Sequence, residues 1–85
     1  MTTQQLQETA FQMFVEARAH KVGTAPEIIL AQTNPAAFHH RLMALHAEYM
    51  AAECSFGYMA EQLGVSYFAL TDILNALGLR ATQGD

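Results

Sequence analysis

The residues with the greatest chemical reach lie on one stripe. His39, Met43, His46 and Met50 follow one another at intervals of four, three and four, and Cys54 comes four further on. At helical spacing these side chains share a face, and imidazole, thioether and thiolate are the donors that a soft ion such as Cu(I) prefers. A single straight helix rises about 1.5 Å per residue, however, so ligands spread over several turns do not converge on one ion. Methionine is also a common core filler. The stripe therefore reads as packing, with no metal and no cofactor expected and soft-metal binding as the remote alternative.

Nucleophilic and acid–base chemistry have even less material. Cys54 is the sole cysteine and has no partner base in its neighbourhood of the sequence, whereas a nucleophilic thiol needs a lowered pKa or an adjacent base. The carboxylates Glu48, Glu53, Glu61 and Asp72 are scattered, without a paired-acid motif, Gly-rich loop or cofactor fingerprint. These features predict a non-enzyme.

A recognition surface is better represented. Within Ser55 to Leu79, placing Leu70, Ile73, Leu74 and Leu77 inward on a helix turns Phe68, Thr71, Asp72 and Asn75 outward, with Tyr67 on the flank. Tyr58 adds a third aromatic from the preceding helix. Asn75 can read an adenine edge, and Phe68 or Thr71 can touch a thymine methyl. Yet no Arg or Lys lies between Ser55 and Leu79, and Asp72 has the wrong sign for phosphate. Tyr67 and Phe68 look instead like anchors for a protein groove or a dimer interface. Packing of Phe68 beneath another helix of the same fold is the competing reading. The whole chain carries four cations, Arg18, Lys21, Arg41 and Arg80, which are the candidate phosphate contacts if DNA is bound. Arg18, His20 and Lys21 gather at the end of the first helix, where positive charge suits the negative pole of the helix dipole. A solvated helix terminus accounts for them without a phosphate.

The elements that must position these residues follow from caps and periodicity. The first helix is expected from Thr2 to about Ala19, with Leu6, Ala10, Met13, Phe14 and Ala17 on one stripe, Phe11 and Val15 widening it, and Gly23 as its stop. Thr24-Ala-Pro-Glu27 has the pattern of a capping box for a short helix whose Ile28, Ile29 and Leu30 plug the core. Asn34 and Pro35 restart the chain as N-cap and first helical residue, and Phe38, Leu42, Leu45, Tyr49 and Ala52 form a heptad-like seam to about Glu53. Ser55 then caps a helix carrying Phe56, Met59, Ala60 and Leu63. Gly64 ends it, and Ser66 caps the next, which stops at Gly78. Two amphipathic helices meeting at Gly64-Val65-Ser66, with small Ala60 on the inner face, outline a helix-turn-helix.

Composition bounds the rest. Eighty-five residues make one small all-α domain of about five helices: 1–54 for packing and dimerisation, 55–79 as the helix-turn-helix, and 80–85 as a frayed tail. With 52% apolar residues and only 14% charged, a monomer this small has difficulty burying its apolar side chains, so a homodimer is expected. The net charge of −4 disfavours nucleic acid. One cysteine suits a reducing cytosol, MTTQQLQET lacks the regions of a signal peptide, and no run approaches the ~20 apolar residues of a membrane span.

Ala44-Leu45, Tyr49, Ser55, Gly57, Ala60-Glu61, Gly64, Ser66, Phe68, Leu74 and Gly78, in this order and without gaps, resemble the C-terminal half of the UPF0175 small proteins. The resemblance spans about residues 44–79 and implies a helix-turn-helix, antitoxin-like component of a prokaryotic cell. Tyr58 and Tyr67 stand where that family often has a basic residue, which turns the expectation away from DNA. The helical N-terminal half also differs from the strand-like start typical of the family. The resulting expectation is a homodimeric regulatory or protein-interaction module, with a DNA-binding transcriptional regulator as the alternative.

Overall fold

Polar side chains start the helices by taking over backbone hydrogen bonds that a first turn cannot make. In the computed structural model, which describes residues 2–82, five helices and no strand are found among those residues. They are α1 (Thr3–Val22), α2 (Pro26–Leu30), α3 (Pro35–Met50), α4 (Phe56–Leu63) and α5 (Tyr67–Ala76). Asn34, Ser55 and Ser66 accept from the backbone N–H of Ala37, Tyr58 and Ala69 at 2.9, 3.0 and 3.2 Å. Caps of this kind are each worth about 1 kcal/mol.

The capping box forms elsewhere than the sequence pattern indicates. Thr2 Oγ1 accepts from Gln5 N at 3.2 Å and Gln5 Oε1 accepts from Thr2 N at 3.0 Å, so the reciprocal pair opens α1. At α2 the N-cap is Ala25, without a side-chain cap, because Pro26 takes the first helical position. Thr24 is used to end α1 instead: its N–H donates to Ala19 O at 2.9 Å.

The same six-residue closure ends three more helices, with Glu53 N donating to Glu48 O, Val65 N to Ala60 O, and Leu79 N to Leu74 O. The left-handed residue in these closures is Gly23, Gly64 or Gly78 in three cases and Ala52, at φ 60°, in the fourth. The turn at Ala52 stops α3 at Met50, short of the expected Glu53, and leaves Ala52 exposed rather than on the seam. At the other closure α1 continues past Ala19 to Val22, up to its glycine.

One apolar cluster joins all five helices. α1 is its axle, burying Ala10, Phe11, Phe14, Val15 and Ala19 against α5, α2 and α3. Phe14 stacks on Phe38 at 4.4 Å between ring centroids, and Phe11 lies 5.9 Å from Phe38. α3 adds Leu42, Leu45 and Tyr49, α4 adds Met59, Ala60 and Leu63, and α5 adds Leu70, Ile73 and Leu74. α2 contributes less than its composition promises. Only Ile29 is buried, while Ile28 and Leu30 are each half exposed, because a five-residue helix offers a single inward position.

The segment after α5 folds back on α3. His46 Nε2 lies 2.9 Å from Arg80 O and Tyr49 Oη donates to Ala81 O at 2.9 Å. Residues 80 and 81 of the expected frayed tail are therefore tied down through their carbonyls, and 83–85 lie outside the described residues. None of the helices described is long and apolar enough to cross a membrane.

Candidate functional site

The stripe with metal-like spacing resolves into unrelated roles. A carbonyl can only accept, so His46 Nε2 carries the proton that bonds Arg80 O, and the ring is buried. His39 Nε2 lies 3.5 Å from Gln7 Nε2, and Met43 is partly exposed. Among the described residues no three or more His, Cys, Asp or Glu gather in a metal-holding group. The Cys54 thiol, 3.9 Å from Leu45 O, is pushed above its ordinary pKa of 9.0 by burial and then by the charges of Glu48 and Glu53. It stays protonated at neutral pH, the reverse of an activated nucleophile.

The corner between α4 and α5 is the better-built region. α4 has no basic residue in its last turn, so the negative end of its dipole takes cations from outside. Arg18 Nη1 donates to Gly64 O at 3.3 Å and Lys21 Nζ to Val65 O at 3.4 Å, both reaching from the end of α1. Arg41 Nη2, from α3, donates to Gln62 Oε1 at 3.0 Å. The cationic end of α1 is thus more than a solvated terminus: it braces a helix more than forty residues away in the sequence. The fit at Gly64 is close. A Cβ there would run into the Arg18 guanidinium, besides needing φ +74°. The fourth cation, Arg80, is exposed and meets α3 through its backbone carbonyl.

Five of the six surface residues read from the sequence share α5. Phe68 is 86% exposed, the highest value for any large apolar residue described, so no other helix of the chain covers it. Asp72 and Asn75 are exposed beside it. Thr71 is half-buried and donates its hydroxyl to Tyr67 O at 2.9 Å, which leaves its oxygen lone pairs for an outside partner. Tyr67 is 59% exposed. One face of its ring stacks on Phe56 at 5.7 Å, and its hydroxyl occupies the place where a Cβ on Gly57 would go. Tyr58 stands on α4, 46% exposed. Phe56, which Tyr49 also meets edge-on at 5.6 Å, links this surface to the core through Tyr67.

Sequence reasoning missed two features here. One is the role of Arg18 and Lys21, for which the bare C-terminal turn of α4 was the available signal. The other is a groove between α1 and α5, floored by Met13, Ala17 and Ala69 and open beside Asp72. No family model, no curated protein and no solved structure matches the chain.

Proposed function

We propose that the chain is a small, non-enzymatic helix-turn-helix module that acts by protein contact as a homodimer in the cytosol. Its contact surface is Tyr58, Tyr67, Phe68, Thr71, Asp72 and Asn75. The observation that carries this reading is Phe68, an 86% exposed phenylalanine on a helix whose opposite face, Leu70, Ile73 and Leu74, is fully buried. Aromatic anchors set on a rigid helix and ringed by polar groups are the usual source of interface energy. The resemblance to the UPF0175 small proteins supports the helix-turn-helix part of this reading and is shared with the second reading below.

A second reading, a DNA-binding regulator of antitoxin-like type, is favoured by Arg18, Lys21 and Arg41 converging on the corner. It is opposed by Asp72 on the outer face and by the engagement of Arg18 with Gly64 O. Phosphate contacts from these cations and Arg80 give log K a steep negative slope in log salt. Fluorescence anisotropy with mixed duplex DNA across a salt series separates the two readings. The protein-contact module gives dissociation constants weaker than ~10⁻⁴ M at low salt with a shallow slope, and sedimentation equilibrium gives a dimer. A tight, steeply salt-dependent complex reverses the preference, and a monomer at ~100 µM removes the homodimer.

A further inference from the structure

The groove between α1 and α5 is electrically two-ended. The helices run antiparallel, since Lys21 near the end of α1 meets Val65 just before α5. Ala17 and Ala69 therefore mark the middle of the groove, with Glu16 beside them, Met13 and Asp72 at one end, and His20, Lys21 and Ser66 at the other. It is an open depression of about 520 Å³ whose lining is mostly apolar. Phe68 precedes Ala69 and lies one turn before Asp72, both of which line the groove, and its 86% exposed ring is not itself part of the lining.

We propose that the occupant of the groove is Phe68 of a second copy of this chain, the two copies related by a two-fold axis passing near Ala69. A knob and a groove on the same face make the surface self-complementary, which is the condition for a closed two-fold contact. The axis reverses the groove, laying the Asp72 end of each copy on the His20/Lys21 end of the other. Opposite charges then frame two buried phenylalanine rings. This assignment rests on the homodimer reading above and adds which residues meet.

The test is sedimentation equilibrium on the full chain, with circular dichroism to confirm folding of each variant. Phe68→Glu, Lys21→Glu and Asp72→Lys each weaken the dimer about tenfold or more. Mixing the Lys21→Glu and Asp72→Lys proteins restores it as a heterodimer, because each variant repels itself and both pairs across the mixed contact are again opposite in sign. Phe68→Glu remaining as tightly dimeric as the parent, or a mixture no tighter than its components, overturns the assignment while self-association stands. A parent chain that sediments as a monomer at ~100 µM overturns both.

Discussion

Two groups of aromatic residues divide the work of this molecule. Phe11, Phe14 and Phe38 converge between α1 and α3 with ring separations of 4.4 to 6.4 Å, each at most 9% exposed. Tyr58, Tyr67 and Phe68 stand on α4 and α5, 46 to 86% exposed. The side-chain chemistry is nearly the same, yet burial of the first group is already realised on folding, whereas the apolar area of Phe68 remains to be covered. Burial is worth about 25 cal/mol per Å² of apolar surface, so the first group contributes to stability and the second holds free energy available for association.

Substitutions can break or sharpen that contrast. Phe38→Ala removes the ring that both Phe11 and Phe14 touch and is expected to cost about 3–5 kcal/mol in urea unfolding. A loss below ~1 kcal/mol would place the core's centre elsewhere. Gly64→Ala imposes a left-handed alanine and drives its Cβ into Arg18, for an expected cost of about 2 kcal/mol. Gly78→Ala, at φ +73° with open space around it, is the control at about 1 kcal/mol, and the difference isolates the Arg18 contact that braces the corner. Ala52→Gly relieves a left-handed alanine that belongs to neither aromatic group and should raise the melting temperature, equivalent to about 1 kcal/mol. Phe68→Ala sits at the end of the scale. At concentrations where the chain is monomeric it is expected to change unfolding free energy by less than ~0.5 kcal/mol. A larger loss under those conditions would mean that Phe68 belongs with the interior group.

Most of the element plan was legible because it is written in short-range rules. Ser55, Ser66 and Asn34 cap where their hydroxyl or amide can reach three residues ahead, and Gly23, Gly64 and Gly78 stop helices where a Cβ would strain a left-handed turn. The stripe Leu70, Ile73 and Leu74 predicted which face of α5 is buried. The local rules erred where two of them competed. At Thr24-Ala-Pro-Glu27, proline's preference for the first helical position overrode the capping-box pattern, and Thr24 closed α1 instead. At Ala52 nothing in the residue type announces a left-handed turn, so the end of α3 was placed three residues late.

The site was legible in composition but not in its connections. Phe68, Thr71, Asp72 and Asn75 were placed outward by periodicity, with Tyr67 on the flank; Thr71 is instead half-buried, and periodicity cannot say whether another helix lies across that face. His46 had the spacing of a ligand on α3. Its hydrogen bond to Arg80 O spans 34 residues and depends on how the segment after α5 returns.

By itself the sequence determined the caps at Asn34, Ser55 and Ser66, the glycine stops, the buried face of α5, and that the chain is all-α. Those properties arise from hydrogen bonds and side-chain periods within four or five residues. Only the tertiary structure decided that Arg18 and Lys21 brace the corner, that residues 80 and 81 dock on α3, and that Phe68 stays uncovered beside a two-ended groove. Each of these depends on the relative placement of helices, which is set by packing between residues tens of positions apart, and no local pattern encodes it.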